Sequence, residues 1–209
     1  MRFEKEIIDA SKYLLQLQFN IGSEGNISCR KKNEIYITPS GIKTSNLKQN
    51  DISKVDLDGK ILNKKKPSSE ILLHSWIYRN HKDIGAVVHS HSKWASILSC
   101  MRINIPAFHY MVAEFGGSDV KCSKYATFGS EQLSKYVNKV LHNRKGCLIA
   151  NHGQVTLGDT LEEAIDLSIA LEKLSEQYYF LIISRKAKLL SDKEMCKIVK
   201  LFKDYKVKH

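Results

Sequence analysis

Apolar residues return every three to four positions over residues 3–18, with Phe3, Ile7, Leu14 and Leu17 near one face, which predicts an opening amphipathic helix. The rhythm breaks at Gly22-Ser23-Glu24-Gly25-Asn26, and a short strand, Ile27-Ser28-Cys29, follows. Glu34-Ile35-Tyr36-Ile37-Thr38 alternates polar and apolar, as a half-buried strand does, and stops at the loop Pro39-Ser40-Gly41. Strands near 52–56 and 60–62 are expected to flank Asp58-Gly59 as a hairpin. Pro67-Ser68-Ser69-Glu70 has the composition of a helix start, because serine can cap the free N–H groups of a first turn; that helix should run to about Arg79.

Ala86-Val87-Val88-His89 reads as a buried strand, residues 93–101 as a helix and 107–115 as a further helical stretch. Ser130 caps a run bearing Leu133, Val137, Val140 and Leu141. Thr160-Leu161-Glu162-Glu163 is a capping box opening a long helix to about Ser184, and Ser191-Asp192-Lys193-Glu194 is another. Before the Thr160 helix, Cys147-Leu148-Ile149-Ala150 is a short apolar strand that ends at Asn151-His152-Gly153. Helices thus interleave with strands, and the expected fold is α/β: one layered domain spanning residues 1–209, a sheet with helices packed on it.

Composition narrows this little. Hydrophobic residues are 43% and charged residues 26% of 209, ordinary for a globular chain. No stretch approaches the roughly 18 apolar residues that span a bilayer, and the charged start Met1-Arg2-Phe3-Glu4-Lys5-Glu6 is unlike a secretory signal, so a cytoplasmic protein is expected. The five cysteines, Cys29, Cys100, Cys122, Cys147 and Cys196, are scattered and form no C-x-x-C pair; free buried thiols are expected. The net charge of +11 could steer an anionic ligand, but no aromatic-interleaved basic stripe accompanies it, and no nucleic-acid partner or membrane is expected.

The sharpest local feature is His89-Ser90-His91. Residues two apart on a strand share a face, so both imidazoles can meet one ion. His152 ends the other apolar strand, and Glu70 lies at a helix start behind two serines. Three imidazoles and a carboxylate make a donor set suited to Zn2+. With three neutral histidines and one carboxylate, a dication keeps a net charge near +1 and stays able to polarise a carbonyl. His74, His81, His109, His142 and His209 read as packing or surface residues.

Six blocks carry a resemblance: Gly25-Asn26-Ile27-Ser28, Ile37-Thr38-Pro39-Ser40-Gly41, Lys66-Pro67-Ser68-Ser69-Glu70, Val87-Val88-His89-Ser90-His91, Ile105-Pro106-Ala107-Phe108-His109-Tyr110-Met111 with Tyr125-Ala126-Thr127-Phe128-Gly129, and Asn151-His152-Gly153. In this order they resemble the class II aldolase/adducin family, most of all its L-fuculose-1-phosphate aldolases. The resemblance implies a central, largely antiparallel sheet flanked by helices and a homotetramer with active sites at subunit interfaces. It implies one zinc ion per subunit held by Glu70, His89, His91 and His152, with Glu70 doubling as catalytic acid/base. It assigns Gly25, Asn26, Ser40, Gly41, Ser68 and Ser69 to the phosphate of a small sugar, and Tyr110, Phe128 and Tyr205 to the aldehyde end. The implied reaction is cleavage of L-fuculose 1-phosphate, or a close relative, to dihydroxyacetone phosphate and a small aldehyde such as L-lactaldehyde. Aldolases for 5-deoxyribulose- or methylthioribulose-1-phosphate, sugar-phosphate 4-epimerases and non-catalytic adducin-like modules are the neighbouring alternatives. Glu24, beside Gly25-Asn26, adds negative charge close to the expected phosphate loop.

Overall fold

The computed structural model describes residues 2–207. Its centre is a six-stranded sheet of β1 (Asn26–Lys31), β2 (Glu34–Ile37), β3 (Ser53–Asp56), β4 (Ala86–Ser90), β5 (Gly146–Ile149) and β6 (Gly153–Gly158). The spatial order is β3-β2-β1-β4-β6-β5, and every neighbouring pair is antiparallel. Around it lie α1 (Arg2–Gln16), α2 (Ile71–Asn80), α3 (Lys93–Met101), α4 (Glu131–Leu141), α5 (Leu161–Ser184) and α6 (Asp192–Val207).

Both faces of the sheet are covered, because its strands carry apolar side chains on alternate sides. Val87, Cys147, Ile149, Val155 and Leu157 join Leu73 and Ile77 of α2 and Leu133, Val137 and Leu141 of α4 in one core. On the other side Ala86 and Val88 meet Ile7, Ile8 and Leu14 of α1 and Ala164 of α5. A third cluster joins Leu148 to Ala95 and Leu98 of α3, Leu167, Leu171 and Leu174 of α5, and Met195 of α6. All five residues of β4 are buried, since this strand has paired neighbours on both edges and helices on both faces. Among the described residues no helix is long and apolar enough to cross a membrane.

Local signals account for several helix starts. Ser130, Thr160 and Ser191 each accept a hydrogen bond from the N–H three residues on, at 3.1, 3.2 and 3.2 Å. At the start of α2, Ser68 Oγ accepts from the Glu70 N–H at 3.2 Å, and Glu70 itself is the N-cap residue.

Three expectations fail, and one strand was not foreseen. Residues 60–62 form no strand, only a single bridge between Val55 and Ile61; Ile61 and Leu62 find no cover beside the edge strand β3 and stay 45% and 47% exposed. The stretch 107–115 is helical only as a 3-10 segment, Tyr110–Phe115, which stops at Gly116 with φ +88°. The strand β6, Gly153–Gly158, is absent from the sequence-based expectation, which ends the preceding strand at Asn151-His152-Gly153. Of the cysteines, Cys29 and Cys147 are buried and Cys122 half-buried, but Cys100 and Cys196 are exposed, each on an outer helical face.

Candidate active site

The hydrogen-bond register of the sheet brings the chemistry together. Asn26 of β1 stands directly opposite His89 of β4, and His89 opposite Val155 of β6. His91 follows β4 by one residue, and His152 occupies the tight turn between β5 and β6. Glu70, at the N-terminus of α2, leans in from the opposite side. The result is a compact group. His89 Nε2 lies 3.1 Å from Glu70 Oε2 and 3.1 Å from His91 Nε2, and His152 Nε2 lies 3.7 Å from Glu70 Oε1. The three imidazole centroids are 4.7–4.9 Å apart, and one ring nitrogen from each lies within 4.8 Å of the others.

Neighbouring groups fix each side chain. The Nδ1 of His89 faces the Gln154 carbonyl at 2.8 Å, which leaves Nε2 for the centre. The His91 backbone N–H donates to Asn20 Oδ1 at 3.0 Å. The His152 N–H donates to the Ile149 carbonyl and to Ser99 Oγ, pinning its turn against α3. Gly153 is required here by close approach: a Cβ on it would lie 2.4 Å from the Ser90 carbonyl oxygen and 3.2 Å from His91 Cα. Gly25 takes φ +65°, and a Cβ there would strike the Asn20 side chain.

Directly after His91, the Glu172 carboxylate of α5 accepts from the N–H groups of Trp94 and Ala95 and from Ser92 Oγ, at 2.8, 2.9 and 2.6 Å. It caps α3 from another helix, while Ser92 Oγ also accepts from Gln154 Nε2 at 2.7 Å.

The charges are mutually dependent. Burial would raise the Glu70 carboxyl, but the charge and hydrogen bond of His89, with His152 and the Asn26 amide, hold it well below the ordinary carboxylate range. Burial would lower His89, and Glu70 and the Gln154 carbonyl reverse that, so its imidazole sits above its usual value. Burial, followed by repulsion from His89, brings His91 and His152 down to about 4. His89 thus favours its charged form against the Glu70 carboxylate, while His91 and His152 favour the bare, uncharged ring. A divalent cation fits the same arrangement: the two bare imidazoles and the carboxylate offer lone pairs, and Glu70 Oε1 is a buried oxygen with no hydrogen-bond partner. His89, His91 and His152 could therefore hold a metal ion.

A cavity of about 360 Å³ opens over this group. Gly25, Asn26, Ser40, Gly41, Ser68 and Ser69, expected at a phosphate, all line it, as do Glu70, His91, His152 and Phe128. No lysine or arginine is among its described lining residues, so an anion there would meet hydroxyls, backbone N–H groups and the positive end of α2 rather than side-chain cations. Tyr110 is 52% exposed and does not line the cavity of its own chain, while the side chain of Tyr205 lies outside the described residues. Glu24 turns toward the histidines, with Oε2 3.7 Å from His91 Nδ1 and accepting from the Ile21 N–H at 3.1 Å.

Residues 5–179 match the family described as Class II Aldolase and Adducin N-terminal domain. The chain belongs to the class II aldolase/adducin family. Relatives of this aldolase include a 5-methylthioribulose-1-phosphate/5-deoxyribulose-1-phosphate aldolase of Rhodospirillum rubrum, 40% identical over 95% of this chain and 90% of that one. The L-fuculose phosphate aldolase of Escherichia coli K12 is 37% identical over 98% of this chain and 95% of its own length. A solved L-fuculose 1-phosphate aldolase superposes with a TM-score of 0.93 at 32% identity, covering 97% of this chain and 96% of that one. The protein is a class II aldolase, a lyase of a metal-dependent group.

Several participants carry no motif. His74, expected to be a packing residue, is fully buried, with Nε2 in hydrogen-bond contact with Asn26 Oδ1 and Nδ1 2.6 Å from Ser28 Oγ. A helical step of four from Glu70 to His74 was the available signal, since such residues share a face. Asn20, Gln154 and Glu172 come from segments with no marked spacing to the histidines, and only the fold brings them near.

Proposed function

We propose that this aldolase cleaves a ketose 1-phosphate with a short apolar tail, L-fuculose 1-phosphate or a 5-deoxypentulose 1-phosphate, to dihydroxyacetone phosphate and a small aldehyde. One observation carries the reading: three imidazoles and a carboxylate with one unpartnered oxygen converge at the floor of a cavity whose other wall is built of hydroxyls and glycine loops. In this reading residues 1–209 act as a single domain, and Glu70, His89, His91 and His152 hold one Zn2+.

Ser40, Gly41, Ser68 and Ser69, with the Gly25-Asn26 loop, grip the phosphate and point the ketose carbonyl toward the histidines. The cation, when bound, supplies a Lewis acid that draws negative charge onto the carbonyl and neighbouring hydroxyl oxygens. A tyrosine, Tyr110 or Tyr205 of a neighbouring subunit, takes the C4 hydroxyl proton as the C3–C4 bond breaks and the aldehyde forms. Glu70, displaced from the histidine group when the substrate binds and then protonated, delivers that proton to C3, converting the enediolate to dihydroxyacetone phosphate. Both groups re-equilibrate with water between turnovers, so one proton leaves the C4 hydroxyl and one arrives at C3. Phe128, with Tyr125 and Ala126 beside it, receives the tail. The half-exposed ring of Tyr110 supports a homotetramer in which each subunit completes its neighbour's cavity.

The apolar rim favours deoxy or methylthio ends over a terminal hydroxyl, and the Rhodospirillum relative supports the pentulose reading as strongly as the Escherichia relative supports fuculose. A coupled assay for dihydroxyacetone phosphate across fuculose-, rhamnulose-, ribulose- and 5-deoxyribulose-1-phosphates tests this. Turnover should be highest with fuculose- or 5-deoxyribulose-1-phosphate and should vanish after chelation. Equal rates on ribulose-1-phosphate, or no turnover on any of the four with metal present, would reject it.

A further inference from the structure

Behind Glu70 runs a chain of polar groups that never reaches the cavity surface except at Asn26. Asn26 Nδ2 donates to Glu70 Oε2 at 2.9 Å, and Asn26 Oδ1 meets His74 Nε2. His74 Nδ1 meets Ser28 Oγ, and the Tyr78 hydroxyl lies 2.9 Å from Ser28 Oγ and donates to the Ser28 carbonyl at 3.0 Å. His74 and Ser28 are fully buried, Tyr78 is 1% exposed and Asn26 5%. In such a setting every unmatched donor or acceptor is costly. None of these four side chains is left unmatched; in the same group only Glu70 Oε1 is.

The direction of each bond follows from one end. An ionised carboxylate only accepts, so Asn26 must turn its NH2 toward Glu70 and its Oδ1 toward His74. His74 must then carry its proton on Nε2. The ring is fully buried and touches an amide and a hydroxyl rather than a carboxylate, so it stays neutral, and Nδ1 is bare and accepts from the Ser28 hydroxyl. For a neutral ring beside an ionised Glu70, no other arrangement matches each donor with an acceptor.

We infer that His74 is a positioning residue for the aldolase reaction: by fixing the Asn26 amide in one orientation, it commits Oε2 of Glu70 to the protein and leaves Oε1 as the oxygen that carries the proton. Oε2 already receives an N–H, so a proton there would face a donor. Oε1 has no such neighbour and lies on the His152 side of the group. The two oxygens of one carboxylate are thereby made unequal, and the inequality originates at a residue two hydrogen bonds away. The kinetic part of this inference rests on the aldolase reading of the site; the tautomer it requires does not.

The test has two arms. In metal-free, 15N-labelled wild-type protein near neutral pH, long-range nitrogen–proton correlations should show His74 as the neutral Nε2–H tautomer, assigned by its loss in His74→Gln. An Nδ1–H or doubly protonated ring would overturn the inference, whatever the activity. In the loaded enzyme, His74→Leu should lower kcat by about 10–100-fold while leaving KM for the phosphorylated ketose within about twofold. His74→Gln, whose amide can still donate to Asn26 Oδ1, should recover most of that loss. An unchanged kcat in His74→Leu, or equal damage in two folded variants, would also overturn it. Should His74→Leu fail to fold, the wild-type tautomer still decides. If the wild type itself turns over none of the ketose phosphates, the aldolase reading falls while the first arm stands.

Discussion

Replacing Gly153 by alanine should damage the histidine group more than the fold. The added Cβ would lie 2.4 Å from the Ser90 carbonyl oxygen, whereas tolerated contacts begin at 3.0–3.4 Å, so the β4 and β6 ends must part by the difference, 0.6–1.0 Å. Neither side can yield cheaply, because the obstacle is backbone and β4 is held by strands on both edges. His91 Cα and Cδ2, each 3.2 Å from the same Cβ, lie in the path of that movement. Sites of this kind tolerate displacements of about 0.5 Å, and an error near 1 Å can cost about 100-fold in rate. The strain itself is an overpacking cost of about 1–3 kcal/mol. Two measurements on Gly153→Ala separate these effects: metal affinity by chelator competition, expected to fall at least about tenfold, and the urea midpoint, expected to fall only by the strain. A variant with wild-type metal affinity and turnover would show that the close approach of β4 and β6 does not set the histidine geometry.

Three further outcomes are expected. Glu172→Ala removes a carboxylate that accepts three hydrogen bonds at the start of α3, and should cost about 3 kcal/mol, lowering the thermal midpoint by roughly 6–12 °C; a shift under about 2 °C would dismiss it as a cap. In metal-free protein, His74, His91 and His152 stay neutral in the fold to about 3, 4 and 4, but protonate near 6.5 when unfolded. The unfolded chain therefore binds more protons below about 6.5, and stability should drop as pH falls from there toward 4, with His74 alone worth up to about 4–5 kcal/mol by the time pH reaches its folded value. His89, raised in the fold, acts with the opposite sign above 6.5, and a urea midpoint that stays level between pH 7 and 4 would contradict the assignment. Glu70→Gln should retain part of the metal and lose most turnover, about 100-fold or more, in the dihydroxyacetone phosphate assay; full activity would remove Glu70 as the acid/base.

Much of the site was legible because its residues sit where strands and helices end, and ends are marked in sequence. His89-Ser90-His91 announces two imidazoles turned the same way at the end of a strand, and Ser68-Ser69-Glu70 announces a helix start. Strand β6 stayed hidden because its glycines are required by close approach to Ser90 and to α5, not by a turn, and sequence cannot tell those uses apart. The surroundings of the site were hidden for a different reason. Asn20, Gln154 and Glu172 act through pairings across 71, 65 and 80 residues of chain, and no periodicity carries over such a span. His74 was visible as a residue and misjudged as packing: burial and helical spacing are the same for a filler and for a hydrogen-bonded partner of Asn26.

The insertion of β6 between β4 and β5 bears on how the chain matures. During synthesis β4 emerges with His89 and His91 already in place, yet its second edge waits for partners that lie 64–72 residues further along. Until they arrive there is no third imidazole and no stable cradle for an ion. Loading should thus come late and be coupled to closure of the sheet, and a ribosome-stalled fragment ending before Asn151 should bind metal far more weakly than the full chain.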